Sequence, residues 1–278
     1  MQLFQFFNKK GHFVFGNNSD KEWGKFGKKD PYYWATTLGK YSDDQLTKER
    51  TTEFFSEGQS YARKLLEIIC QQIDPSFLPR RVLDFGCGVG RIAIPLSEIA
   101  GNVVGIDISE TMLAEARKNC REKGVSNLSL IKGDDRLTAL TGTFNFIHSI
   151  YVFQHIPWAR GKVILRQMLK KLDDNGVISL QFLISNTLSR RRRLSYWMQV
   201  HLPLVKNFLN LRRGKKWRTP MMQLNSYDLN RVIEMLETVG CRQIYLRHTK
   251  ESYYKGVIII AQKQTEEVPG FIDLGNIP

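Results

Sequence analysis

Between residues 82 and 90 the chain reads Val-Leu-Asp-Phe-Gly-Cys-Gly-Val-Gly, and no other stretch restricts the fold as tightly. RVLDF at 81–85 is the kind of short apolar run that forms a buried strand, and a helix is expected to follow from Arg91. Glycines at 86, 88 and 90 let the backbone turn sharply and lie against a ligand with no side chain between. A glycine-rich turn from strand into helix is a general nucleotide cradle.

Three details narrow the ligand. The G-x-G-x-G spacing lacks the wider gap that houses a pyrophosphate in the dinucleotide fingerprint. Asp84 stands just ahead of the glycines, where a carboxylate suits a ligand amino group better than a phosphate. Asp107 ends a second apolar run, NVVGID at 102–107, where a carboxylate accepts ribose hydroxyls. An adenosine that carries an amino acid and no phosphate meets all three conditions.

Strand and helix patterns alternate around this turn. Apolar residues recur at helical spacing from Thr51 to Ile73, and Asp74-Pro75 ends that helix. The helix over 91–100 contains Pro95, which should kink or shorten it. Ser109 is an N-cap for a helix to Lys123, closed by Gly124. Further strands are expected at 128–133, 144–150 and 177–184. A helix at 158–172 should stop at the Asp-Asn-Gly turn of 174–176. A last helix over 227–239 leads to two closing strands, 241–248 and 256–262, expected to be antiparallel.

The pattern predicts an α/β fold: a doubly wound, mostly parallel seven-stranded sheet of Rossmann-like type, with a helical insertion after the fifth strand. Residues 1–49 read as an N-terminal extension, irregular up to about residue 30. Residues 50–184 read as the cofactor-binding core, 185–225 as a basic helical insertion that serves as an acceptor lid, 226–263 as the rest of the sheet, and 264–278 as a tail.

With these residues in view, the stretch resembles the class I S-adenosylmethionine-dependent methyltransferases, whose first motif is a strand, an acidic residue and G-x-G-x-G. The likeness extends to Gly133-Asp134-Asp135 and to FNFIHSIYVFQHI at 144–156. It covers about residues 50–184 by motif and 226–262 by pattern alone. The resemblance implies S-adenosyl-L-methionine as cofactor, held by Asp84, Gly86, Gly88, Gly90, Asp107, Ile108, Asp134 and Ser149. Of the two acids after the third strand, Asp134 is expected near the adenine amino group and Asp135 in solvent. Ile108 and Met112 either line the adenine or belong to the core. Asn145 stands where many members have Asp, which weakens any charge-based role at that position.

The acceptor side is less determined. His155 lies past the fourth strand, on the carboxyl edge of the sheet, and is the candidate general base; alternatively it holds its loop through a backbone hydrogen bond. His148 alternates within the strand and is expected to be packed. Tyr151 borders the acceptor or joins the core. The formal charge of +14 is uneven: residues 175–227 hold ten Lys or Arg and no Asp or Glu. Arg190 to Arg193, then Arg212, Arg213, Lys215, Lys216 and Arg218, flank an apolar stretch broken by Pro203. That reads as two short amphipathic helices with basic ends, placing Arg190 and Arg212 as candidate acceptor contacts.

Such a lid suits a small molecule or a lipid-linked glycan, with peripheral contact to an anionic membrane surface. An RNA acceptor is the alternative. A non-catalytic cofactor- or nucleic-acid-binding module is opposed by the intact glycine turn and Asp107. Cys70, Cys87, Cys120 and Cys241 form no C-x-x-C pair, so no metal is expected. No apolar run suggests a membrane span or signal peptide, and cytoplasmic residence is the expectation.

Overall fold

The structure, a computed structural model, describes residues 19–264 except 215, 216, 218, 220 and 252. The phenylalanine-rich start, Lys215, Lys216, Arg218 and the tail from 265 lie outside the described residues.

Seven strands form one sheet: β1 (Arg81–Phe85), β2 (Asn102–Asp107), β3 (Leu128–Lys132), β4 (Phe144–Ser149), β5 (Leu172–Asn186), β6 (Cys241–Glu251) and β7 (Tyr254–Lys263). Their order is β3-β2-β1-β4-β5-β7-β6. The first five are parallel, and β7 runs antiparallel between β5 and β6. This is the doubly wound arrangement expected. The order reverses between β1 and β4, which opens a crevice at their carboxyl ends where ligands bind in such sheets.

The described helices are α1 (Ser19–Lys29), α2 (Pro31–Thr36), α3 (Lys48–Gln72), α4 (Ala93–Ser97), α5 (Glu110–Glu122), α6 (Trp158–Lys170), α7 (Arg190–His201), α8 (Pro203–Arg212) and α9 (Leu229–Glu237). Ala62, Leu65 and Ile69 of α3 pack with Leu96 of α4 and Leu113 of α5 on one sheet face. Ile164, Leu165 and Met168 of α6 pack with Val232 and Leu236 of α9 on the other. Helices on both faces explain why β1 and β4 are buried almost throughout. None of the described helices is long and apolar enough to cross a membrane.

Three elements depart from the sequence pattern. Pro95 cuts the helix after the glycine turn to Ala93–Ser97, the shortening its missing N–H dictates. The Asp-Asn-Gly triplet does not lie between elements: β5 begins at Leu172 and absorbs it as a bulge between its pairings with Phe144 and Phe146, with Asn175 at φ 57°. The third departure is α1, in a segment read as irregular. Gly24 and Gly27 depress helix propensity there, but Gly27 packs against α5 so closely that a Cβ would sit 2.3 Å from Thr111 Oγ1. Acids in the first turn of α1 and lysines in the last also favour the helix.

Candidate active site

A cavity of about 710 Å³ opens at the carboxyl ends of β1, β2 and β4. Gly86 and Gly88 form its floor, with Asp107 and Ile108 at the end of β2 and Gly133 to Asp135 after β3. All three glycines of the turn have positive φ. Gly86 is also sterically bound: a Cβ there would meet Val152 Cγ2 at 2.2 Å. At Gly88 a Cβ would meet nothing within 4 Å, so this backbone faces the cavity directly. Gly86→Ala therefore combines left-handed strain with overpacking, and should cost about 2–4 kcal/mol in urea unfolding. A loss below ~1 kcal/mol would show that the turn relaxes around a methyl group.

Asp107 fastens this turn to the second strand. Its Oδ2 accepts from the Gly88 N–H at 2.9 Å and its Oδ1 from the Ser109 N–H at 2.8 Å. Burial pushes the carboxyl up to about 6, against the lowering effect of those two donors. The free lone pairs of a carboxylate held this way suit paired hydroxyls of a ribose. Ile108 lines the cavity beside it, as does Met112 of α5, which is also buried in the core.

Asp84 lies behind the wall. It is 3% exposed and pairs in register with His148 of β4. Its Oδ1 lies 2.7 Å from His148 Nδ1, and His148 Nε2 lies 3.1 Å from the Tyr61 hydroxyl. With Asp84 ionised, Nδ1–H donates to it and Nε2 accepts from Tyr61. The described contact of this carboxylate is thus an internal one, set by the cross-strand register. Ser149 is likewise buried, and its hydroxyl donates to the Phe85 carbonyl at 2.9 Å, tying β4 to the end of β1 outside the cavity wall.

Both acids after β3 line the cavity, and each also holds a contact within the protein. Asp134 caps its own turn by accepting from the Arg136 and Thr138 N–H groups and the Thr138 hydroxyl, which hold it below the usual carboxylate range. Asp135 is not solvated. It meets Arg160 of α6 through two bonds of 2.8 and 2.6 Å, and Arg160 reaches on to Asp20 of α1 at 3.0 and 3.2 Å. This ion network anchors α1 beside the cavity.

His155 is buried and lines the same cavity. Its Nδ1–H donates to the Gln223 carbonyl at 2.7 Å, which leaves Nε2 unprotonated and 3.2 Å from the Gln154 amide nitrogen. Burial pushes its pKa down to about 4. The loop-holding contact is therefore present, and the unprotonated Nε2 accepts from the Gln154 amide. Tyr151 lines the cavity at φ 61°, with its N–H donating to Gln181 Oε1 at 3.1 Å.

The aromatic part of the cavity wall was the least foreseeable. Trp23 and Trp34 come from α1 and α2, Met222 and Leu224 from the segment between α8 and α9, and Tyr253 and Tyr254 from the β6–β7 junction. Arg190 and Arg212 are exposed on α7 and α8 and do not line the cavity. Among the described residues, the insertion reaches the cavity through Met222 and Leu224, which follow its helices. The tryptophans were visible in the sequence, but nothing local showed that the extension folds back: Lys206 of α8 and the Met221 N–H both contact Glu22 of α1, at 3.5 and 2.8 Å.

Comparison with known proteins agrees with this geometry. Residues 82–176 match the model of a methyltransferase domain family. Aklanonic acid methyltransferase DauC of Streptomyces sp. (strain C5) is 27% identical over 220 residues, covering 74% of this chain and 97% of that protein. The 23S rRNA (uracil(1939)-C(5))-methyltransferase RlmD of Marinomonas sp. (strain MWYL1) is 30% identical over 128 residues, but these are only 29% of its length. Magnesium protoporphyrin IX methyltransferase (ChlM) of Synechocystis PCC 6803, solved with bound SAM, shares the fold with a TM-score of 0.55 at 17% identity, over 89% of this chain and 98% of that one. The matched domain, the strand order and the glycine turn stapled by Asp107 are those of an S-adenosylmethionine-dependent methyltransferase.

Proposed function

We propose that the enzyme methylates an apolar small molecule at a hydroxyl or amine. The observation that carries this reading is the acceptor wall, built from Trp23, Trp34, Tyr151, Met222, Leu224 and Tyr253. Such walls bind by apolar area, with few polar groups to orient the ligand. The cavity lining holds Asp20, Asp107, Asp134 and Asp135 against Arg91 and Arg160, so its charge does not favour an anionic group inside. Full-length correspondence to DauC, a methyltransferase named for aklanonic acid, supports a small acceptor. RlmD, named for 23S rRNA, corresponds over less than a third of its length, which is weak support for RNA.

Bound S-adenosylmethionine supplies a methyl group already activated by its sulfonium. The chain's part is positioning, which contributes up to about 7–11 kcal/mol when reacting atoms are aligned. Gly86 and Gly88 and the Asp107 carboxylate would hold the adenosine portion. The aromatic wall would hold the acceptor and exclude water. His155 Nε2, at the acceptor end, would take the proton that an O–H or N–H acceptor must lose. A lipid-linked acceptor met at a membrane surface is the finer form of this reading, and the exposed insertion helices favour it over a freely diffusing one.

The test is methyl transfer to a panel of hydroxylated aromatic, isoprenoid and glycan-headed acceptors. Trp34→Ala should raise KM for a productive acceptor about tenfold and leave cofactor affinity unchanged. Equal KM in the variant, or turnover confined to RNA, would overturn the proposal.

A further inference from the structure

Helix α8 is built inside out. Its buried residues are Lys206 at 5% exposure and Asn210 at 7%, whereas Leu204, Phe208 and Leu211 are 73%, 63% and 52% exposed. A surface helix ordinarily turns its apolar stripe to the core and its polar face to water. Here Lys206 is drawn inward by Glu22 of α1 at 3.5 Å, and the Asn210 amide donates to the Trp217 and Thr219 carbonyls at 3.4 and 3.2 Å. Those contacts fix the rotation of the helix and leave the i, i+4, i+7 stripe outside. Helix α7, packed beside it, adds Leu194 and Trp197, which are 58% and 54% exposed.

Cations frame this apolar face. Arg190 to Arg193 are exposed at the start of α7, and Arg212 and Arg213 at the end of α8. No acid lies between residues 175 and 227 to offset them. A second copy of the chain would set one arginine cluster against another. Residues 1–18, which hold Lys9 and Lys10 and no acid, bring like charge too. An occupant must therefore be apolar where it meets the leucines and anionic where it meets the arginines.

We infer that the α7–α8 face docks the enzyme on an anionic lipid surface, with Leu194, Trp197, Leu204, Phe208 and Leu211 entering the acyl boundary and the arginines at the headgroups. The face is continuous with the cavity mouth: the Arg192 guanidinium lies 5.1 Å from the ring centre of Tyr253, which lines the cavity. An apolar acceptor would then enter from the bilayer side. The docking surface itself does not depend on what the acceptor is, and its test needs no turnover.

Flotation of the full chain with two kinds of vesicle decides it: phosphatidylcholine alone, and an equimolar mixture of phosphatidylcholine and phosphatidylglycerol. Binding is expected to the mixed vesicles only. It should weaken as salt rises, since the charge interaction is screened within about 8 Å near 0.15 M. Arg190→Gln, Arg191→Gln, Arg212→Gln and Arg213→Gln together should lose binding by about fivefold per arginine. Leu204→Gln, Phe208→Gln and Leu211→Gln together should also release the protein, while S-adenosylmethionine still raises its melting temperature. That retained shift shows an intact fold. Failure of the wild type to float with the mixed vesicles, or binding indifferent to both sets of substitutions, would overturn the inference. So would a dimer in solution that the Gln triple variant disperses, or nucleic acid that co-purifies and is lost in the arginine variant without any vesicle binding.

Discussion

Asp107→Ala should weaken S-adenosylmethionine binding roughly 10²–10⁴-fold, measured by calorimetry at pH 7.5. A hydrogen bond to a charged acceptor contributes about 1.5–3 kcal/mol, and the proposed contact supplies two of them to the ribose. The same carboxylate accepts from the Gly88 and Ser109 N–H groups, so its loss also frees the turn that faces the cofactor. The pH dependence gives a second, independent reading. Burial holds this carboxyl at about 6 in the folded protein, above its ordinary 3.8. Ribose hydroxyls donate to the ionised form, so affinity should fall as pH drops below about 6, by up to about tenfold per unit. The stability of the protein without cofactor responds in the opposite sense to this group. Its contribution is fully present below 3.8 and is lost as pH rises through about 6. Asp107→Asn should flatten the affinity profile. An unchanged profile, or wild-type affinity in a folded Ala variant, would remove Asp107 from the cofactor site.

The order of strands and the cofactor turn were legible because they rest on local rules. Apolar runs ended by glycine or proline, and carboxylates at strand ends, report their roles within a few residues. What escaped was non-local. Asp84 and His148 are adjacent only because β1 pairs β4 in the register that sets them opposite each other. Asp135 is drawn from solvent by Arg160, whose partner Asp20 lies 140 residues away in a helix that the glycines of α1 disguise. The acceptor wall is farther out of reach, since α1, the segment at 222–224 and the β6–β7 turn meet only in the folded chain. The insertion was recognisable as two cationic amphipathic helices, but their rotation was not. The Lys206 and Asn210 contacts show that the apolar stripe faces away from the protein.

His155→Ala should lower kcat by about 10²–10⁴ toward a hydroxyl acceptor, the range a positioned general base supplies. Alanine alone cannot separate a base from a loop tie, because it removes both nitrogens. His155→Asn can. Its amide nitrogen occupies nearly the place of Nδ1 and can donate to the Gln223 carbonyl, which the imidazole reaches at 2.7 Å, while it offers nothing at Nε2. The Asn variant should therefore keep most of the wild-type melting temperature and lose nearly as much rate as the Ala variant. The pH response follows from burial, which sets the imidazole at about 4 against an ordinary 6.5. At any pH above 5 most of it is already neutral, so the wild-type rate should show no inflection from this residue between pH 5.5 and 8. Its stabilising effect, by contrast, is present above 6.5 and is lost as pH falls through about 4, because the unfolded chain then binds a proton that the folded one resists. His155→Ala should lose that part of the acid sensitivity in melting experiments between pH 7 and 4.5. Recovery of near-wild-type kcat by His155→Asn would show that the histidine only ties its loop to Gln223, and that the acceptor gives up its proton elsewhere.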